Sequence, residues 1–314
     1  MTAALTVLFT SVGRRVELIR HFLEYASAHP EDLSVLGTEI DPFSPAAQVL
    51  KHAVIKVPRA DDPAYLQVIS DICHERGVNV IFPLIDPDVY TLGTASRLPL
   101  ASVGPDAAVI VSDKWLTYQW LNEHGIPTVE SWLPGSIGEV DFPLFIKPRR
   151  GSGGVDAFQV NSENEFAFFS SFIDSPIVQR SLSGSEITVD VVVGARGEVL
   201  ATAQRMRLAI RGGEVSRGMV VDDPEVTQIV GKVVTALQPS GPITVQGMYA
   251  SDGSFRVTEI NARMGGGIPL AVAAGVPVAR LLVDSWLGRE PEAVKTLDVG
   301  LHMVRFDDSL FYRP

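Results

Sequence analysis

Residues 243–267 constrain this chain more than any other stretch. Their sequence, ITVQGMYASDGSFRVTEINARMGGG, reads as two β-rich runs joined by a tight turn, then a glycine run ahead of a helix over 268–274. Asp252-Gly253 between such runs predicts a hairpin closed by a two-residue type I′ turn, which needs positive φ at both central residues. That closure fixes a register: Ser251 opposite Ser254, Ala250 opposite Phe255, and Gln246 opposite Glu259. Alternation then places Glu259 and Asn261 on one face with Gln246 across from them. One carboxylate and two amide oxygens in a patch are hard donors, suited to Mg²⁺ that also meets phosphate oxygens. Arg263 shares their parity. Gly265, Gly266 and Gly267 leave free N–H groups at the next helix start, which suit a carboxylate or another oxyanion. The plain alternative is a hairpin with a polar, solvated face.

Residues 1–110 alternate short apolar strands with helical spans. Strands are expected over 5–10, 34–39, 54–57 and 78–83, and helices over 16–28 and 65–76. The pattern predicts a parallel sheet covered on both faces, with ligand loops at the carboxyl ends of its strands. Gly13, Arg14, Asp41 and Asp86 fall on such loops. A dinucleotide site is the alternative for this half. The first turn lacks G-x-G-x-x-G, having only Gly13 followed by two arginines.

A second segment also suits phosphate. The strand expected over 142–148 carries Lys147 and runs into Arg149-Arg150-Gly151-Ser152-Gly153-Gly154. Backbone N–H groups of such a loop can wrap phosphate oxygens while the ammonium supplies a point charge. No Gly-Lys-Ser/Thr follows, so this is not a Walker A loop, and a β-turn with a surface lysine is the alternative. Upstream, Ser112-Asp113-Lys114 opens a helix through His124, capped by Ser112 or Asp113. Downstream, a strand ends in Gln179-Arg180-Ser181-Leu182, and Gly184-Ser185-Glu186 opens strands over 187–193 and 199–206. Arg205, Arg207 and Arg217 follow; each also fits a solvated basic edge.

Composition narrows the classes. With 314 residues, 46% of them hydrophobic, the chain supports two or three domains. A net charge of −11 without a dense Lys/Arg run argues against nucleic acid as partner. The single cysteine, Cys73, excludes an intrachain disulfide and a cysteine-rich zinc site. The six histidines show neither metal-ligand nor triad spacing. No run reaches transmembrane length and no signal-peptide pattern opens the chain, so a cytoplasmic protein with no membrane partner is expected.

Four pieces in this order resemble the ATP-grasp superfamily: Ser-Asp-Lys at 112–114 before Gly-Ile-Pro, Phe-Ile-Lys-Pro-Arg with its glycine loop, Gly-Ser-Glu at 184–186, and Glu-Ile-Asn-Ala-Arg at 259–263. The chain looks most like stand-alone proteins similar to one half of the carbamoyl-phosphate synthase large subunit. The resemblance implies an α/β fold: a Rossmann-like, pre-ATP-grasp parallel sheet over 1–110, then a two-part α+β ATP-grasp module. Its small lid subdomain would span 111–183 and its C-terminal subdomain 184–314.

The resemblance also implies roles. Lys114 and Lys147 would hold ATP phosphates under a lid of Gly151, Ser152, Gly153 and Gly154. Gln179, Arg180, Ser181 and Leu182 would read adenine through main chain, and Glu186 would bind the ribose hydroxyls. Glu259, Asn261 and Gln246 would ligate Mg²⁺, with Mn²⁺ as a substitute. Arg263, with Arg205 and Arg217, would support the transferred phosphoryl group. Arg14, Asp86 and Gly265 to Gly267 would meet substrate. Three features depart from the family pattern: a glycine loop about two residues shorter, Gln179 where many relatives have Glu, and one carboxylate in the metal patch. The implied activity is ATP-dependent joining of a small carboxylate to an amine or ammonia through an acyl phosphate, with a homodimer as the oligomer to test for. The rivals are phosphorylation of bicarbonate or carbamate, and a nucleotide-binding sensor without turnover.

Overall fold

The computed structural model describes residues 4–95, 97–151, 153–294 and 296–313. Four apolar strands come first: β1 (Leu5–Thr10), β2 (Leu33–Glu39), β3 (Val54–Lys56) and β4 (Val80–Pro83). They form a parallel sheet in the order β3-β2-β1-β4. Helix α1 (Val16–Ala28) buries Leu18, Ile19 and Phe22, one stripe at helical spacing, against one face. Helix α2 (Pro45–Leu50) joins that layer through Ala46 and Leu50. Helix α3 (Tyr65–Arg76) covers the other face with Tyr65, Ile69 and Ile72, packed with Leu8 and Ile81. It stops at Gly77, whose φ of 61° favours a residue without Cβ.

Helix α4 (Asp86–Gly93) starts three residues after β4. Asp86 was expected on a loop; it is instead the first helical residue, followed by Pro87, which needs no N–H there. Helices α5 (Pro105–Val111) and α6 (Lys114–Glu123) follow. Of the two expected caps, Asp113 holds α6, accepting from the Trp115 N–H at 2.9 Å.

Strands β5 (Ser131–Trp132), β6 (Leu144–Pro148), β7 (Phe158–Val160) and β8 (Pro176–Arg180) build an antiparallel sheet, β5-β8-β6-β7, with α7 (Glu163–Phe172) packed on it. The third sheet runs β13-β12-β9-β10-β11-β14, antiparallel throughout. Its strands are β9 (Glu186–Val193), β10 (Val199–Arg211), β11 (Glu214–Val221), β12 (Ile243–Tyr249), β13 (Phe255–Asn261) and β14 (His302–Val304). Helix α8 (Pro224–Leu237) lines its apolar face.

Two packing facts cut across the expected boundaries. Ala108, Leu121 and Ile126 share a core with Val226, Val230 and Ile260, so the buried faces of α5 and α6 pack on the third sheet. The expected 110/111 division therefore falls inside α5. The N-terminal sheet in turn shares its core with α9 (Ile268–Ala273) and α10 (Val278–Trp286): Val7, Phe9 and Phe22 pack with Ile268, Leu281 and Leu282. Among the described residues no helix is long and apolar enough to cross a membrane.

The hairpin differs from expectation at its tip. Tyr249, not Ala250, pairs with Phe255. The Gly253 N–H donates to the Ala250 carbonyl at 3.0 Å, and the Ala250 N–H to the Ser254 carbonyl at 2.9 Å. Gly253 has φ 82° while Asp252 has no positive φ, so the type I′ closure does not form. A three-residue loop with a glycine bulge takes its place. A second irregularity lies between Gln246 and Gly247, where Thr258 is the unpaired extra residue. The two one-residue shifts cancel, and Gln246 does oppose Glu259.

Candidate active site

The second and third sheets line a cleft of about 750 Å³, to which the N-terminal half adds Arg15. Lys147, on β6, and Lys114, first residue of α6, both line it. The Lys114 ammonium donates to the Gly151 carbonyl at 2.8 Å, and its N–H to the Arg149 carbonyl at 3.0 Å. The Arg149 guanidinium in turn grips Asp113 at 2.7 and 3.0 Å. Burial opposes the charge of Asp113, but Arg149 holds its carboxyl below the ordinary value. The α6 start and the β6 end are thus clamped together. Neither lysine has an acidic partner within ion-pair distance among the described residues. Burial lowers the Lys147 pKa to about 8 against the pull of Glu259 and Glu186, and Lys114 adds repulsion.

The glycine loop closes over this end. Gly151, Gly153 and Gly154 have φ of 115°, 73° and 71°, conformations that need glycine. Gly153 lies so close to Gly213, in the β10–β11 turn, that a Cβ at Gly213 would strike its backbone. Ser152 lies outside the described residues. Gln179, Arg180, Ser181 and Leu182 all line the cleft. The Gln179 amide is turned into the sheet, donating to Ser131 Oγ at 2.9 Å, and the Arg180 guanidinium pairs with Glu130 at 2.8 Å. Glu186 reaches the cleft paired with Arg207 at 2.5 Å.

Across from the lysines stand Gln246, Glu259 and Asn261. The bulge at Thr258 explains their shared orientation. Phe255 and Val257 are buried on the core side before it, Ile260 and Ala262 after it, so Thr258 and Glu259 both face the cleft. The side chains of Glu259 and Gln246 make no hydrogen bond among the described residues. Asn261 Oδ1 accepts from Arg263 at 3.0 Å and keeps a second lone pair. An unpartnered, half-buried carboxylate beside two amide oxygens fits a hard divalent cation.

Arg263 projects from beyond the end of β13 into the same cleft. Asp86 holds it bidentately at 2.7 and 2.8 Å. Burial disfavours its charge, but Asp86 outweighs that and raises the guanidinium above its ordinary value. Asp86 is not on the cleft wall; it is the arm that fixes Arg263. Arg205 is buried in a bidentate pair with Asp190 at 2.5 and 2.9 Å and lies against Gly267. Gly265, Gly266 and Gly267 all line the cleft.

Besides Asp86, two expected residues do not reach the site. Arg217 is exposed on β11, where it pairs with Val304 on one side and opposes Ala209 on the other, away from Arg205. Arg14 is exposed, and Arg15 takes the cleft position. The signal for Arg15 was present, since it is the N-cap residue of α1, three residues ahead of the inward stripe of Leu18, Ile19 and Phe22. Sequence reasoning also missed Asp190, Glu214 and Arg305. Glu214 and Arg305 derive their places from contacts distant in sequence, which no local pattern reports, and Asp190 from its register against Arg205 on the next strand.

The geometry matches known proteins. Residues 7–101 match a family described as the PylC-like N-terminal domain. Residues 173–308 match one described as ATP-grasp in the biosynthetic pathway with Ter operon. The chain thus carries an ATP-grasp domain behind a PylC-like N-terminal domain. Among curated relatives, it is 27% identical over 163 residues to a carbamoyl-phosphate synthase of Methanobrevibacter smithii, covering 48% of this chain and 43% of that protein. It is 25% identical over 175 residues to a D-alanine–D-alanine ligase of Francisella tularensis, covering 51% and 59%. It spans about half the length of these relatives. N5-carboxyaminoimidazole synthetase from Staphylococcus aureus, solved with ADP, superposes with a TM-score of 0.78 at 16% identity over 95% of this chain and 81% of that one. The biotin carboxylase domain of 2-oxoglutarate carboxylase from Hydrogenobacter thermophilus, solved with MgADP and bicarbonate, gives 0.73 at 17% identity over 95% and 73%. The L-amino acid ligase of Bacillus licheniformis gives 0.70 at 16% over 94% and 78%. At these identities the structures speak for the fold: a parallel N-terminal sheet followed by the antiparallel sheets of ATP-grasp proteins.

Proposed function

We propose that this protein is an ATP- and Mg²⁺-dependent ligase that joins a carboxylate to an amine or ammonia and releases ADP and phosphate. One observation carries the reading. Lys114 and Lys147, two cations with no acidic partner among the described residues, face Glu259, Asn261 and Gln246 across one cleft, with Arg263 beside them. The nucleotides in the S. aureus and H. thermophilus structures, and the ligases and synthases among the relatives, support it.

In this reading the lysines hold the ATP phosphates beneath the glycine loop, main chain at 179–182 meets adenine, and Glu186 meets the ribose. Glu259, Asn261 and Gln246 would hold Mg²⁺, which neutralises charge on the phosphate oxygens. A substrate carboxylate oxygen attacks the γ-phosphorus, the bond to the β–γ bridging oxygen breaks, and ADP leaves. The amine nitrogen then attacks the acyl carbon, loses a proton and expels phosphate. The protein contributes positioning and charge neutralisation. Arg263, fixed by Asp86, supports the transferred phosphoryl group, and Arg205 stiffens the wall behind it. No side-chain nucleophile is required. The glycine loop keeps water from the acyl phosphate.

A matrix of carboxylates and amines, scored for ADP release with Mg-ATP, tests this. Hydroxylamine in place of the amine should trap the acyl phosphate as a hydroxamate. The match to a carbamoyl-phosphate synthase supports a second reading, phosphorylation of bicarbonate or carbamate. ADP release that depends on bicarbonate alone would select it. No ADP release from any pair, or from bicarbonate with or without ammonia, would sink both readings.

A further inference from the structure

The guanidiniums at this end of the cleft, with Arg305 just behind its wall, are unevenly partnered. Arg205 is matched by Asp190, Arg263 by Asp86 and Arg207 by Glu186. Arg15 and Arg305, however, share one carboxylate: Glu214 lies 3.2 Å from the first and 3.0 Å from the second. That carboxylate is the wettest of the three, its side chain 41% exposed against 17% and 19% for the arginines. Arg15 meets Glu214 through one terminal nitrogen only; the rest of its fork makes no hydrogen bond among the described residues. Burial draws the Arg15 guanidinium below its ordinary value; Glu214 and Asp86 pull it back up, while Arg263 and Arg305 add repulsion. The Arg305 Nε is likewise buried without a partner among the described residues. Arg15 also lies against Gly266, where a Cβ would run into the guanidinium. The backbone is therefore bare where the fork faces the cleft.

We propose that the carboxylate substrate carries a second anionic group, a carboxylate or a phosphate, that docks on Arg15 beside Gly266. The position of the first, reacting carboxylate rests on the ligase reading. A planar fork with open donors in a partly desolvated wall takes either oxyanion bidentately. The neighbouring cations Arg263 and Arg305 strengthen that attraction. A purely structural Arg15, tying α1 to β11 through Glu214, would confer stability but no ligand preference.

The test is calorimetry on the intact protein loaded with Mg²⁺ and a non-hydrolysable ATP analogue. The probes are succinate, glutarate and adipate, each against its monoamide, and 3-phosphonopropionate against succinate. At least one dianion should bind tenfold or more tightly than its neutral-tailed partner. The phosphonate arm tells which headgroup is preferred. Arg15→Met should reduce the preference to less than twofold while leaving nucleotide affinity unchanged. Gly266→Ala, whose methyl displaces the fork, should do the same, and it carries the test if Arg15→Met does not fold. The proposal is overturned if no dianion outbinds its monoamide, or if the preference survives in both variants. Failure of the ligase reading shows separately, as absence of ADP release while this binding preference persists.

Discussion

Lys147 is a cation kept in a wall where water is scarce, and its pKa of about 8 makes that cost measurable. The sign follows from burial. Between about pH 8 and its unfolded value near 10.5, the unfolded chain binds the proton and the folded protein does not, so Lys147 makes the nucleotide-free protein more stable as pH rises through that window. Triphosphate reverses the balance by favouring the ammonium. ATP binding above about pH 8 should therefore take up a proton, and its Kd should weaken with a slope approaching one log unit per pH unit. Calorimetry in buffers of different ionisation enthalpy reads the uptake, and zero uptake at pH 9 would remove Lys147 from the phosphate site. Glu259→Gln addresses the facing wall. It deletes the sole carboxylate of the oxygen patch, so turnover should fall by orders of magnitude with the folded structure intact. Near-normal rates at saturating Mg²⁺ would move the metal elsewhere. These residues were legible as types: a lysine before glycines, a carboxylate two residues from an amide. Their partners were not. Asp86 read as a substrate ligand because a sequence shows a carboxylate near a strand end but not the arginine that closes on it 177 residues away.

At the scale of the element, the hairpin β12–β13 shows what alternation reveals and what it hides. Glu259 and Asn261 share a face as expected, but strict alternation would have put Phe255 and Val257 on that face too. The structure buries both on the other side and changes parity at Thr258. The cue was in the sequence. Apolar positions at 255 and 257, then 260 and 262, leave a gap of three where a regular strand has two. Turn chemistry alone misled, because Asp-Gly serves a bulged three-residue loop as readily as a type I′ turn. Gly247 tests the arrangement. A Cβ there would enter the Phe255 ring and the Arg256 backbone beside the bulge. Gly247→Ala should destabilise by roughly 1–3 kcal/mol, the usual range for overpacking, and lower Mg²⁺-dependent turnover together with it. Denaturant midpoints check the first effect. Unchanged stability would mean that the bulge has more room than the packing allows.

Across the whole molecule, the N-terminal sheet is more than a neighbour of the ATP-grasp module. Its core continues into α9 and α10, and α4 delivers Asp86 to Arg263. The α/β order of the sheet was readable from short apolar runs, whereas its fusion with the C-terminal helices was not, since local periodicity is silent on which faces meet. The Asp86–Arg263 pair is where this fusion touches chemistry. Asp86→Asn keeps one acceptor oxygen but removes the charge and the symmetric grip, freeing a guanidinium that also touches Asn261. If Arg263 supports the transferred phosphoryl group, kcat should drop on the order of a hundredfold, as for loss of an oriented transition-state donor, while ATP affinity stays within about twofold. The pair is only partly buried, so the stability cost should be smaller than the roughly 3–5 kcal/mol of a fully enclosed ion pair. The decisive measurement is a double-mutant cycle with Arg263→Met. Because Asp86 acts only through Arg263, the double variant should be no slower than Arg263→Met alone. Losses that multiply would give Asp86 an independent contact with substrate, and the N-terminal sheet a direct part in the reaction.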